Sequence, residues 1–456
     1  MRWWFGGVIV AGAMFWWSVA PLTADLAGYV RKPDTEFAWR SVNHTSNETG
    51  TVFTLHLTSQ KWQGIVWEHA VQVYLAKNVL PKPTMLIWVT GGKPNPVAII
   101  AGLEISRLAQ VPVAFLYDIP NQPLLDNKRE DALIAETFVR YLQSGDENWP
   151  LLFPMVKSVV RAMDALQAFA RQEWKTEVRH FVVSGASKRG WTTWLTASLQ
   201  DPRVLAIAPM VIDVLNMPEQ LAWHVKSLGG YSTMLRDYID AGLIPMPRTE
   251  RAKKLWSMVD PYIYREKITV PKLIVLGSND PYWASDALNL YWADLPGEKW
   301  VLYVPNAGHD LRDRKVLDPT AQLRRSVYTL STFVRRQANG QPMPKLSWKH
   351  TADASTATLE ITWEKTETDA PTRTAAVPVA ARLWVADAPT RDFRNATWTS
   401  RDLPLPANQH RLTGQVDVPK TGCRALFGEL EFRDGDQPFW LSTQMQIVGT
   451  PSPTKP

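Results

Sequence analysis

The chain has 456 residues, with 50 lysines and arginines against 44 aspartates and glutamates, and 45% of it is hydrophobic. This composition excludes a disordered chain and a collagen-like repeat, and the single cysteine, Cys423, excludes a disulfide framework. The net charge of +6 is spread along the chain without a basic block, which argues against nucleic-acid binding. The length corresponds to about two or three domains of an enzyme-sized protein.

The segment 1–24 has the pattern of a secretory signal peptide. Arg2 precedes an uncharged apolar stretch over 3–19, and small residues surround Pro21. The stretch is short for a membrane span of about 20 residues, so an uncleaved anchor is only the alternative. We therefore expect an exported protein, periplasmic or secreted, with no stable membrane span after cleavage.

Residues 25–338 are predicted to form an α/β domain of the hydrolase type. Alternating apolar residues over 51–57 and 64–75 predict an antiparallel pair of strands at its start. Short continuous apolar strands then alternate with helical repeats such as 156–170, which predicts a doubly wound, mostly parallel sheet. The predicted strands of this sheet are 85–89, 113–117, 181–183, 205–212, 273–276 and 300–304.

The rest of the predicted organisation consists of an insertion and a second domain. The aromatic-rich segment at about 217–260 interrupts the alternation where a lid over the site is expected. Linker composition at 339–345 ends the α/β domain. Short alternating segments over 346–449 predict an all-β, sandwich-like domain. The polar, proline-rich residues 450–456 predict a disordered tail.

The strongest local signal for chemistry lies at 181–191, where an apolar strand runs through small residues into a helix. This pattern predicts a nucleophile elbow that presents Ser187 at the carboxyl edge of the sheet. Gly185 and Gly190 would let the strand and the helix approach closely. Arg189 stands where the usual Gly-x-Ser-x-Gly motif has its second glycine.

Residues at the ends of later strands complete a catalytic triad in the order serine, acid, histidine. Asp280 follows the strand at 273–276 and is the expected acid. His309 follows the strand at 300–304 and is the expected general base. Asp213, at the end of the preceding strand, is the alternative acid.

Acyl transfer also needs amide donors for the developing oxyanion. The amide of Lys188, directly after the serine, is one expected donor. Gly91 and Gly92 follow the early strand at 85–89, where this fold places the second donor.

Substrate contacts are expected from two places. Arg189 could pair with an acidic group of the substrate. Trp223 and His224 lie in the predicted lid, from which they could face the substrate. The sequence contains no His-Glu-x-x-His motif, no paired cysteines and no glycine-rich phosphate loop, so we expect neither a metal nor a cofactor.

Several motifs resemble one known family. Gly-Ala-Ser-Lys-Arg-Gly-Trp-Thr-Thr-Trp at 185–194, Glu-Asp-Ala at 130–132, Pro-Met-Val-Lys at 154–157 and Arg-Asp-Phe-Arg at 391–394 resemble the PhoPQ-activated pathogenicity-related proteins. The resemblance implies an exported α/β-hydrolase-like protein linked to bacterial envelope stress and virulence, with no substrate class attached. The elbow is also similar to that of glucuronoyl esterases, in which the acid can follow the earlier strand, and this keeps Asp213 open.

The sequence therefore predicts an exported serine hydrolase that cleaves an ester or amide through an acyl-enzyme. The expected substrate is a small-molecule ester, a glycan ester or a peptide, and the sequence does not separate an esterase from a peptidase. The alternative is a catalytically inactive binding protein that holds a peptide or a glycan. The sequence does not predict an oligomeric state.

Overall fold

A computed structural model of the chain describes residues 25–364, 377–406 and 409–452. The predicted signal peptide at 1–24 and the end of the predicted tail lie outside the described residues. Within these three ranges, every helix is too short or too polar to cross a membrane.

The described chain opens with three long antiparallel strands. Helix α1 (Leu26–Arg31) precedes strands β1 (Ala38–Asn47), β2 (Gly50–Trp62) and β3 (Ile65–Ala76), which pair in succession. Exposed and buried positions alternate in the first half of β3, as its sequence pattern predicts.

The central part alternates strands and helices. In chain order it contains β4 (Thr84–Val89), α2 (Pro96–Ala109), β5 (Val113–Leu116), α3 (Glu130–Ser144), α4 (Leu152–Glu173), β6 (His180–Ala186), α5 (Lys188–Ser198) and β7 (Val204–Met210). The segment 217–260, called the helical insertion below, follows with α6 (Met217–Leu228), α7 (Arg236–Asp240) and α8 (Glu250–Val259). The series ends with β8 (Lys272–Gly277), β9 (Lys299–Val304) and α9 (Arg324–Ala338).

The sheet is mixed and has a parallel centre. Its order across this part is β1-β2-β3-β5-β4-β6-β7-β8-β9, and the strands from β5 to β9 run parallel to one another. Helices α3, α4 and α5 pack on one face, and α2 and α9 pack on the other. This is the predicted α/β-hydrolase architecture, in which the carboxyl ends of the parallel strands meet at one edge.

Among the described residues after α9, the regular secondary structure consists of strands. They are β10 (Leu346–Ala352), β11 (Thr356–Trp363), β12 (Pro378–Ala388), β13 (Thr399–Asp402), β14 (Arg411–Asp417), β15 (Gly422–Asp434), β16 (Gln437–Ser442) and β17 (Gln446–Thr450). β10, β11 and β14 form a separate three-stranded sheet.

The other C-terminal strands extend the main sheet, because β16 pairs with β9 at Ser442 and Val301. The three-stranded sheet packs on this extension where Ile361 lies against the backbone of Gly428. One of the two β layers is therefore continuous with the α/β sheet. The division of the chain into two domains at 339–345 stays a prediction.

Candidate active site

The turn between β6 and α5 holds Ser187 in a strained backbone conformation. Its φ is 58° and its ψ is −127°, which non-glycine residues rarely adopt. A Cβ at Gly190 would lie 2.6 Å from Ile212 Cγ2 and 2.9 Å from the carbonyl oxygen of Met210. The small residues around the serine therefore permit the close approach that a nucleophile elbow requires.

Loops after β8 and β9 bring together the predicted acid and base. His309 Nδ1 donates to Asp280 Oδ2 at 2.8 Å, and the Asp280 carboxylate is 7% exposed. The backbone amide of Tyr282 donates to the second oxygen, Oδ1, at 2.9 Å. Because the carboxylate accepts from Nδ1, a neutral His309 carries its proton there and leaves Nε2 as an acceptor.

His309 and Ser187 line the same pocket, which the helical insertion covers. His309 Nε2 is buried and has no hydrogen-bond partner among the described residues. The orienting bond to Asp280 and the unengaged Nε2 give His309 the form of a general base.

The alternative acid, Asp213, has a different partner. Tyr291 donates its hydroxyl to Asp213 Oδ1 at 2.6 Å, and Asp213 is 4% exposed. Burial, together with the nearby Asp280 and Asp286, raises the pKa of Asp213 to about 7, although the hydrogen bond from Tyr291 acts to lower it. The structure thus pairs His309 with Asp280 and pairs Asp213 with a tyrosine.

The predicted oxyanion donors lie on both sides of the elbow. Lys188 is the first residue of α5, and amides in the first turn of a helix lack an intrahelical partner. Gly91 lies directly against the guanidinium of Arg189, where any Cβ would collide with it. The Gly92 amide donates to the hydroxyl of Thr90 at 3.3 Å, a long hydrogen bond.

Arg189 is not placed to contact a substrate, contrary to the expectation from the sequence. It is 8% exposed, and its guanidinium binds Glu130 through two hydrogen bonds of 2.7 Å. Its Nε donates to the carbonyl oxygen of Ile119 at 2.5 Å. Although burial alone would raise the pKa of Glu130, Arg189 lowers it to about 2. Arg189 therefore holds the loop of Gly91 instead of facing the pocket.

Trp223 and His224 lie outside the lining of the pocket that contains Ser187, and their contact with a substrate stays a prediction. His224 is completely buried and stacks edge-on against Trp283, which does line the pocket. Burial lowers the pKa of His224 to about 4, so it is neutral. Trp223 donates to Asp286 at 2.7 Å in a separate cleft.

A polar cluster in the pocket was not predicted from the sequence. Asp131 accepts from Lys188 Nζ at 3.0 Å, from the Tyr238 hydroxyl at 3.0 Å and from the Tyr282 hydroxyl at 3.3 Å. Burial and the neighbouring Asp131 raise the pKa of Tyr238 well above its usual value, so its hydroxyl remains a donor. No local pattern reveals this cluster, because its members come from four separate segments.

Comparison with known proteins identifies the family. A model of the PhoPQ-activated pathogenicity-related proteins matches residues 26–394. The chain belongs to this family. Autocrine proliferation repressor protein A of Dictyostelium discoideum is 31% identical over 444 residues, which cover 89% of this chain and 85% of that protein.

Solved structures similar to the chain include hydrolases. Acetyl xylan esterase 1 from a Thermoanaerobacterium species has a TM-score of 0.46 and 14% identity, covering 62% of this chain and 86% of that one. S-formylglutathione hydrolase from Agrobacterium tumefaciens has a TM-score of 0.43 and 13% identity, covering 66% and 99%. Acylaminoacyl peptidase from Pyrococcus horikoshii has a TM-score of 0.38 and 13% identity, covering 65% and 40%.

Motifs that resemble the PhoPQ-activated pathogenicity-related proteins supply charges around the site. Glu130 and Asp131, from the motif at 130–132, bind the two basic residues that follow Ser187. Arg391, from the motif at 391–394, binds Asp286 at 2.7 Å. These motif residues thus form ion pairs between segments distant in the sequence.

Proposed function

We propose that this protein is a serine hydrolase that cleaves an ester or amide bond through a covalent acyl-enzyme. One observation carries the proposal. His309, oriented by Asp280 through Nδ1, lines the same pocket as Ser187, and its Nε2 has no hydrogen-bond partner in the part of the chain that the structure describes. An oriented imidazole beside a serine on a strained elbow is the arrangement that activates a hydroxyl nucleophile.

The reaction has two halves. His309 Nε2 takes the proton of the Ser187 hydroxyl while Oγ bonds to the substrate carbonyl carbon. The bond to the leaving group then breaks, and His309 gives its proton to that group. In the second half His309 deprotonates a water, whose oxygen bonds to the acyl carbon. The bond from that carbon to Ser187 Oγ then breaks, His309 returns the proton to Oγ, and the acid is released. The amides of Lys188 and of Gly91 or Gly92 hold the negative oxygen in both halves.

The charges in the pocket argue for an uncharged substrate group beside Ser187. Lys188 and Asp131 form a mutual ion pair, and the Lys188 ammonium also lies 3.2 Å from Glu130 Oε2. An acidic substrate group would have to displace these carboxylates. The remaining lining consists mostly of aromatic and aliphatic side chains, including Trp191 and Ile212.

A fluorophosphonate probe tests the proposal because it labels only an activated serine. We expect labelling of the purified protein and its loss in Ser187→Ala and in His309→Ala. Ser257→Ala is the matched control, since that serine lies on α8 and donates to the carbonyl oxygen of Lys254. Labelling that survives Ser187→Ala would overturn the assignment of the nucleophile. A folded protein that resists the probe would instead favour a binding protein for a peptide or glycan.

We also propose that the protein acts after export, in the periplasm or outside the cell. The basic residue, apolar stretch and small residues of 1–24 support this location. The description of its family as pathogenicity-related supports a link to bacterial virulence. N-terminal sequencing of the protein from fractionated cells tests export, and an intact N-terminus on cytoplasmic protein would contradict it.

A further inference from the structure

A second cavity meets His309 from the opposite side. The first pocket, under the helical insertion, has a volume of about 30 Å³, and the second has a volume of about 290 Å³. The second, called the α2–α9 cleft below, lies between the sheet and these two helices. Its walls include Trp88 and Phe115 from the sheet, Ala101 and Ile105 from α2, and Val327 and Leu330 from α9.

The α2–α9 cleft is mostly apolar, and beside His309 its lining contains two polar side chains, Ser326 and Asp310, that have partners. The Ser326 hydroxyl donates to the carbonyl oxygen of Leu323 within the same helix. Exposed Asp310 stands at the rim, where its carboxylate forms a 3.3 Å ion pair with Arg314. Apart from His309, Asp310 and Ser326, the lining is apolar, so the cleft is suited to an alkyl or aryl group.

The two cavities differ in whether Ser187 lines them, and this difference assigns each half of a substrate to one cavity. Ser187 lines the pocket under the helical insertion but not the α2–α9 cleft, whereas His309 lines both. In acyl transfer the acyl carbon bonds to the serine Oγ, so the acyl half belongs on the side of Ser187. The leaving oxygen receives its proton from His309, so the alcohol half belongs beside His309.

From this division we infer that the substrate is an ester of a small acyl group with an apolar alcohol, and that the alcohol occupies the α2–α9 cleft. The inference rests on the proposed serine hydrolase activity and adds its substrate class. The narrow pocket next to Ser187 limits the acyl group, and the cleft, which has about 290 Å³, accepts the larger alcohol. His309 transfers its proton to the alcohol oxygen as the bond from that oxygen to the acyl carbon breaks.

Two isomeric esters test the inference because they carry their longer apolar chain, hexyl or pentyl, on opposite sides of the scissile bond. Hexyl acetate places the chain on the alcohol, and ethyl hexanoate places it on the acyl group. Their intrinsic reactivities are similar because both leaving groups are simple primary alcohols. We expect kcat/KM for hexyl acetate to exceed that for ethyl hexanoate by about tenfold or more. The opposite preference would overturn the inference.

Variants that fill the cleft from its two walls locate the chain. Ala101→Phe from α2 and Val327→Trp from α9 should each lower kcat/KM for hexyl acetate about tenfold. Ile100→Phe is the matched control, since Ile100 is the neighbouring residue on α2 and is 70% exposed. Circular dichroism and thermal melting establish that each variant is folded. Folded filling variants that hydrolyse hexyl acetate like the control would overturn the location.

A third variant tests whether the pocket next to Ser187 limits the size of the acyl group. Leu235, which is buried, lines the pocket next to Ser187, so Leu235→Ala should raise kcat/KM for ethyl hexanoate relative to hexyl acetate. Failure of this inference is distinguishable from failure of the proposed activity. If the probe labels Ser187 but the ester preference is reversed, only the substrate class is wrong. If Ser187 is not labelled, the hydrolase itself is wrong.

Discussion

Tyr282 covers one face of His309, with the ring centroids 4.3 Å apart and the ring planes inclined by 33°. The backbone amide of Tyr282 also donates to Asp280, and its hydroxyl donates to Asp131. One residue therefore contacts Asp280, His309 and the polar cluster of the pocket. We expect Tyr282 to be a positioning residue that acts on the proposed reaction through the orientation of His309.

Removing the ring of Tyr282 should impair turnover more than removing its hydroxyl. We expect Tyr282→Ala to lower kcat/KM about tenfold, since the imidazole loses its aromatic support. Tyr282→Phe keeps the ring and should lower kcat/KM less than Tyr282→Ala does. The pH profile of kcat/KM for both variants provides a readout that a general loss of stability would not shift. Equal losses in the two variants would assign the effect to the hydroxyl bond with Asp131.

The two candidate acids should differ sharply in their effect on catalysis. We expect Asp280→Asn to lower kcat by about three to four orders of magnitude, because an amide no longer holds His309 in the required tautomer. Asp213→Asn should change kcat only a few-fold, because Asp213 contacts Tyr291 and not His309. Steady-state kinetics on the same ester measures both variants. A larger loss from Asp213→Asn would reverse the assignment of the acid.

Asp213 should make stability fall with rising pH. Its pKa is about 7 in the folded protein and about 4 in an unfolded chain, so the folded state holds the proton more tightly. Between these values the unfolded state binds fewer protons, and the free energy of unfolding therefore decreases as the pH rises. The decrease from this group is at most about 4 kcal/mol.

Asp213→Asn isolates this contribution because the amide resembles the protonated acid. We expect the variant to be more stable than the original protein at pH 8 and to lose that advantage below about pH 4. Urea denaturation across this range measures the difference. A difference that is constant with pH would show that Asp213 ionises normally in the folded protein.

The buried guanidinium of Arg189 should matter more for stability than that of an exposed ion pair. Arg189→Met removes its bonds to Glu130 and to the carbonyl oxygen of Ile119. Since the Glu130 side chain is 42% exposed and keeps Lys188 as a partner, the free energy of unfolding should fall by about 1–3 kcal/mol. Arg236→Met is the control, since Arg236 and Asp240 have side chains 79% and 63% exposed, and it should cost under about 1 kcal/mol. Denaturation curves with similar midpoints for both variants would contradict a structural role for Arg189.

Local patterns in the sequence were sufficient to predict the strands of the parallel sheet and the positions of Ser187, Asp280 and His309 at the ends of such strands. Continuous apolar strands alternating with helices predicted the parallel centre of the sheet, because strands buried on both faces have this composition. The small residues around Ser187 predicted the elbow. Asp280 and His309 follow neighbouring parallel strands, and the carboxyl ends of such strands meet at one edge. Their proximity was therefore predictable without knowledge of any side-chain contact.

Only the tertiary structure decided between residues that look alike in the sequence. Asp213 and Asp280 both follow apolar strands, yet the paths of their loops bring one to Tyr291 and the other to His309. The sequence predicted that Arg189 contacts a substrate, whereas in the structure its guanidinium binds Glu130.

The sequence by itself determined the order of strands and helices, the strained turn at Ser187 and the edge of the sheet at which Asp280 and His309 lie. The tertiary structure alone decided the partners of buried charges, the ring over His309, and the continuation of the sheet from β9 into β16. The physical reason is the range of the interactions. Secondary structure follows from the spacing of nearby residues, whereas a buried charge or ring is positioned by side chains from other segments of the chain, as Asp131 is by Tyr238 at a separation of 107 residues.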